Sequence, residues 1–198
     1  MLSHIKKPYF SWALYDWANS AFATTVIAGF FPIFFKSYWG KDLSVNESTG
    51  LLGATSSAVA LTLAALAPFL GSISDLKQNK KVFLLVFTVM GAFATSALFV
   101  VPAGEVSWAL IVFALANIGF SAGLVFYDGL LPSVSNENTV HWVSSFGFSL
   151  GYLGGGRLFA INVLMTLKPD WFFLSSPADA VKWSFLSVGL WWLIFAVP

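Results

Sequence analysis

Tyr15-Asp16-Trp17-Ala18-Asn19-Ser20 interrupts an apolar run that extends from about Tyr9 to Tyr38. An apolar helix of roughly 20 residues crosses a bilayer, and this run is longer than that. A carboxylate inside such a segment costs roughly 2.5–3.5 kcal/mol on insertion scales. Asp16 and Ser20 are four apart, as are Tyr15 and Asn19, so the spacing predicts that one helical face carries the polar atoms. That face must meet protein or water rather than lipid. Ionisable residues within a membrane mark substrate or ion paths, so this stretch points to transport.

The composition agrees. The chain is 58% hydrophobic and 10% charged, whereas soluble domains carry about 25% charged residues. Its 21 Phe and 9 Trp suit aromatic belts at membrane interfaces. A formal charge of +1 supplies no basic stripe for phosphates, which excludes nucleic acid as a partner. With no cysteine, disulfides, a thiol nucleophile and Cys-based metal sites are excluded. His4 and His141 stand far apart outside the apolar runs, and no Ser/His/Asp arrangement is visible. Neither a metal, a cofactor nor catalytic residues are therefore expected. Lys6 and Lys7 before the first run resemble the start of a signal peptide, but the run is too long and too polar for one, so it reads as a retained helix.

Six apolar runs follow one another, predicting an all-α membrane bundle with helices at about 9–38, 45–74, 82–101, 107–129, 140–167 and 181–198. Pro32 is expected to kink the end of the first. Ser44-Val45-Asn46-Glu47 has the spacing of a capping box and starts the second. Ser176-Pro177-Ala178-Asp179 supplies an N-cap serine, a proline at N1 and an acid at N3 for the sixth. The third helix is nearly featureless and reads as a lipid-facing or scaffold element. The sixth is slightly short, so the chain reads as truncated at its end.

Two further features carry weight. Arg157 lies about fifteen residues into the fifth helix, near mid-membrane at about 1.5 Å per residue. It needs a carboxylate, carbonyls or an anionic substrate there; a structural ion pair with Asp16 and a substrate contact both satisfy it. The helix-one cluster likewise reads either as a register-fixing polar knot or as the wall of a water-filled cavity. Gly119/Gly123 and Gly147/Gly151/Gly155 give small-xxx-small faces for close helix approach. Gly154-Gly155-Gly156 also weakens the fifth helix locally, which suits either a bending element or static packing. Asp128 reads as an interfacial or loop-bracing charge.

Gly71-Ser72-Ile73-Ser74-Asp75 followed by Lys77, Lys80 and Lys81 resembles the major facilitator signature between the second and third helices. Tyr15-Asp16-Trp17-Ala18-Asn19-Ser20-Ala21-Phe22-Ala23-Thr24-Thr25-Val26 and Gly151-Tyr152-Leu153-Gly154-Gly155-Gly156 are similar to a bacterial branch of that superfamily, related to the autophagy-linked vacuole effluxers that export amino acids. Leu76 and Asn79 depart from the signature, where basic residues stand in the superfamily.

The resemblance implies the N-terminal half of a major facilitator fold, with two three-helix repeats of inverted topology and a second six-helix half as partner. It further implies a cytoplasmic N-terminus in a bacterial inner membrane, an orientation that the loop lysines alone support weakly. The function expected is secondary transport of a small polar solute, amino acids included, coupled to a proton or sodium ion. Tyr15, Asp16, Asn19, Asn117, Tyr152 and Arg157 are the expected solute or coupling contacts; Gly71, Asp75, Lys80 and Lys81 are the expected gating residues. Asp16 and Arg157 together suggest a zwitterion. A non-transporting membrane module or fragment is the alternative reading.

Overall fold

The computed structural model describes residues 8–77 and 79–196, with the side chains of 73–77, and so that of the gating candidate Asp75, outside the described part. Six long helices follow one another: α1 (Pro8–Trp39), α2 (Val45–Lys77), α3 (Lys80–Val100), α4 (Val106–Asp128), α5 (Val140–Leu167) and α6 (Pro177–Ala196). No strand occurs among the described residues. Helices α1 to α5 are long and apolar enough to cross a membrane. Helix α6 stands apart from these five because Asp179 and Lys182 occupy its first two turns.

Short links make consecutive helices antiparallel. Helix α1 packs on α5 and α6, α4 packs on α3 and α2, α3 packs on α6 and α5 packs on α6; a small contact joins α2 to α3. Exchanging α1 with α4, α2 with α5 and α3 with α6 maps this set of pairs onto itself. That is the signature of two three-helix repeats.

Backbone chemistry explains the shape of α1. Pro32 offers no N–H and its ring crowds the carbonyl four residues back. The helix responds by widening, with π-helical turns over Phe22–Phe30 and Phe35–Trp39 on either side of the proline. Phe31 N–H therefore donates to Val26 O, five residues back instead of four. The expected kink takes the form of a change in helical pitch.

The caps form as their sequences require. Glu47 N–H donates to Ser44 Oγ at 3.3 Å while Ser44 N–H donates to Glu47 Oε2 at 2.9 Å. Asp179 N–H donates to Ser176 Oγ at 3.1 Å, and Pro177 fills the first helical position. Ser176→Ala is expected to lower stability by about 1 kcal/mol. A drop of a few degrees in the unfolding midpoint of the detergent-solubilised protein is the predicted readout, and an unchanged midpoint would remove the cap from the account.

The apolar core sits toward the end where α1 finishes. Phe31 stacks on Phe113 with centroids 3.8 Å apart, and Trp39 donates its indole N–H to Val101 O at 3.3 Å. Helix α3 is more than scaffold: Thr88, Gly91, Ala92 and Thr95 are buried in the bundle. By contrast, only 6% of the α2 span is buried, so its flank is open to whatever surrounds this bundle.

Candidate functional site

Neighbouring residues on a helix are turned by about 100°, so Tyr15 and Asp16 cannot serve one neighbour. The two polar pairs on α1 accordingly occupy adjacent faces, not one. Asp16 and Ser20 face α5, where a β-carbon at Gly151 would lie 2.7 Å from Ser20 Oγ and 2.8 Å from Asp16 Oδ2. Ser20 Oγ donates to Asp16 Oδ1 at 3.1 Å, and Asp16 is only 7% exposed. Tyr15 faces α3 and α4; Asn19, one turn on, is buried, and its Nδ2 has no hydrogen-bond partner among the described residues. Tyr15 shares a hydrogen bond of 2.9 Å with Thr88 Oγ1, and its hydroxyl lies against Gly123.

Glycines make this proximity possible. Along α5, Gly147 lies on the Trp12 ring, Gly151 on Asp16 and Ser20, Gly154 on Trp17, and Gly155 on the Ser20 carbonyl. The rail lets α1 and α5 approach at backbone distance. Helix α5 runs unbroken through Gly154-Gly155-Gly156. Gly156 has nothing within 4 Å of where its β-carbon would be, so it takes no part in the rail.

Arg157 follows Gly151 by six residues, about 9 Å along α5 and well round from the rail. It is exposed, as is Tyr152. Among the described residues no ion pair joins Asp16 to Arg157; the partner of Asp16 is Ser20. Asp16 is buried against α5, whereas Arg157 is exposed. Asn117 is half-buried on α4 and accepts from Ser121 Oγ at 3.2 Å.

Two of the gating candidates, Lys80 and Lys81, open α3. Lys80 Nζ donates to Gly129 O at 3.5 Å, tying the start of α3 to the end of α4. Lys81 is exposed and lines a cavity of about 570 Å³ at the end of the bundle where α1 begins. Ser11, Tyr15, Thr88, Tyr127 and Ser133 line it as well. Gly71, on α2, has open space around it.

Several polar residues escaped the sequence reading. Thr88 is buried on the nearly featureless α3, and nothing in its sequence neighbours marks it. Asn162 is fully buried on α5, where its Oδ1 accepts from Ser187 Oγ at 3.1 Å. A lone amide in an apolar helix was a readable signal for an interhelical contact. Tyr127 stacks between Trp12 and Tyr15, with centroids 4.3 and 5.1 Å away. Its hydroxyl is buried without a hydrogen-bond partner among the described residues.

A family model described as "Vacuole effluxer Atg22 like" matches residues 4–198. The chain belongs to the vacuole effluxer Atg22-like family. Among relatives of this family member, the uncharacterized MFS-type transporter YxiO of Bacillus subtilis (strain 168) is 36% identical over 200 residues, covering 100% of this chain and 47% of that protein. An uncharacterized protein of Aquifex aeolicus (strain VF5) is 29% identical over 191 residues, covering 95% of this chain and 43% of that one. The chain thus spans about half the length of the curated relatives it matches. No solved structure matches it. Membership of this effluxer family, with its membrane-spanning helices, makes the chain an integral membrane protein of a transporter family and not an enzyme.

Proposed function

We propose that this bundle is the N-terminal half of a secondary transporter, rocking against a second six-helix half to move a small polar solute by alternating access. One observation carries the reading: Arg157 is exposed in the middle third of α5, ten residues before its end at Leu167. A guanidinium at that depth costs several kcal/mol facing lipid. Its face of α5 must therefore be covered by protein or line a water-filled path. Helix α2 occupies the place equivalent to α5 in the other repeat and is almost wholly unburied, so both open flanks suit one partner half.

Within that reading the charges divide the work. Arg157 meets the anionic group of the solute at the junction of the halves, with Tyr152, also exposed on α5, as a further solute contact, and amino acids are the first class to test because their carboxylate suits a guanidinium. Asp16, buried and hydrogen-bonded to Ser20, carries the coupling ion, a proton or sodium. Tyr15, Asn19 and Asn117 brace the polar interior around it. The N-terminal end of the bundle faces the cytoplasm across the inner membrane. There Gly71, Asp75, Lys80 and Lys81 form the gating corner.

The test uses the full-length protein in vesicles with labelled amino acids. Arg157→Gln is expected to lower transport at least tenfold with the fold intact. Asp16→Asn is expected to abolish ion-driven accumulation while leaving solute exchange measurable. Accumulation and exchange both unchanged in both variants would make the two charges structural and overturn the assignment.

A further inference from the structure

Tyr127 combines three properties that the proposed function leaves unused. It lines the cavity at the N-terminal end of the bundle. Its hydroxyl is buried and has no hydrogen-bond partner among the described residues. That hydroxyl lies against the glycine rail of α5, 3.1 Å from where a β-carbon at Gly147 would be. Asp16 Oδ2 lies against Gly151, one helical turn along the same rail. Tyr127 and Asp16 are close enough to interact electrostatically.

A buried phenol with no acceptor is unfavourable; Trp17, Asn19, Thr25, Asn162 and Trp192 also carry such atoms among the described residues, and of these six residues Tyr127 lines the cavity. Here the strong acceptor one turn along the rail is a carboxylate, and a water molecule between the two would join them. Tyr127 also borders a cavity at the N-terminal end of the bundle, where Ser11, Thr88 and Ser133 offer hydroxyls to water. Asp16 itself is closed off by Ser20 and by α5.

We propose that Tyr127 is a proton relay joining this cavity to Asp16, so that protons reach the carboxylate from the N-terminal end of the bundle and not from the face that carries Arg157. Each transfer is balanced. Once water from the cavity enters beside the buried hydroxyl, a hydronium gives one proton to the phenol oxygen as the phenol passes its own to the Asp16 carboxylate. Neutral water, a neutral phenol and a neutral carboxylic acid remain. The inference rests on the reading of Asp16 as a proton-coupling group.

The charged and titratable groups around Asp16 come from every element near it. Tyr15 is on its own helix; Tyr127 and Asp128 are on α4, Asp128 near enough to feel its charge. Helix α5 carries Arg157 and His141, each six or more residues along the helix from Gly151, where Asp16 touches it; Lys81 of α3 stands at the cavity. Lys182 and Asp179 of α6 lie at the opposite end.

The experiment follows the infrared carbonyl stretch of protonated Asp16 in the full-length protein after a pH jump, with the band assigned by its loss in Asp16→Asn. Tyr127→Phe keeps the ring and its stacking on Trp12 and Tyr15. It is expected to slow protonation at least tenfold with little change in the titration midpoint. A second variant avoids any folding effect: Ser133→Cys, labelled after purification with a bulky thiol reagent, plugs the cavity and slows protonation to a similar degree, compared with the same variant unlabelled. Rates unchanged in both would overturn the relay while Asp16 still titrates. If no Asp16 band titrates in the wild type, the coupling role of Asp16 fails first, and the relay with it.

Discussion

Trp192→Ala is expected to destabilise the bundle by about 3 kcal/mol. The side chain is fully buried between α1, α3 and α4. Its ring centroid lies 5.7 Å from that of Phe22 and 6.1 Å from that of Phe120. Its far edge covers Gly91, where a β-carbon would come within 2.6 Å of Cη2. Between membrane helices the hydrophobic effect contributes little, since lipid is as apolar as the interior. What alanine removes is dispersion contact around a hole that the neighbours only partly fill. Thermal unfolding of the detergent-solubilised full-length protein reads the loss. The same geometry makes a second, sharper forecast. Gly91→Ala destabilises the wild type, because the tryptophan leaves it no room, but on the Trp192→Ala background most of that penalty disappears. Additive effects in this double-mutant cycle would contradict the packing described.

Gly119→Ala is the next largest effect, about 1–3 kcal/mol or somewhat more. A β-carbon there would sit 2.5 Å from Gly91 Cα, 2.6 Å from Gly91 N and 2.8 Å from Phe87 O. These are backbone atoms and cannot swing aside, so α3 and α4 must separate. Gly156→Ala is the control, since its surroundings are open and alanine favours a helix by about 1 kcal/mol over glycine. The unfolding midpoint should fall for Gly119→Ala and hold or rise for Gly156→Ala. Equal behaviour of the two would mean that glycine position on these helices has no packing significance.

Both forecasts show where sequence reading stops. Gly119 and Gly123 share a small-xxx-small spacing, yet they meet different partners: the Gly91 backbone for one and the Tyr15 hydroxyl for the other. Spacing shows that a helix can be approached closely; it does not say by what. Likewise Tyr15 and Asp16 are adjacent in the chain, and their two i, i+4 pairs suggested a single polar face. The 100° step between them sends one pair into the bundle and the other to α5. Thr88 became legible only when α3 was laid beside α1, because a hydroxyl in an apolar helix carries no partner with it. Tyr127 was visible as a residue near the end of α4 but not as a hydroxyl enclosed by the glycine rail.

The amino-acid sequence by itself determined the membrane class, the run of six apolar helices, the caps at Ser44 and Ser176, the family, and Asp16 and Arg157 as charges that need an explanation. These follow from local quantities: apolar length against bilayer thickness, cap chemistry within one turn, and the cost of a charge in a segment too apolar to hydrate it. Tertiary structure alone decided which helices pair, that Asp16 is buried while Arg157 is exposed, that α2 and one face of α5 stay open, and that Tyr127 both lines a cavity and sets its hydroxyl against the glycine rail. Those depend on the rotation of each helix about its axis against its neighbours. That rotation is set jointly by glycines and large rings distant in sequence, such as Gly91 and Trp192 or Gly147 and Trp12, and no local pattern encodes it.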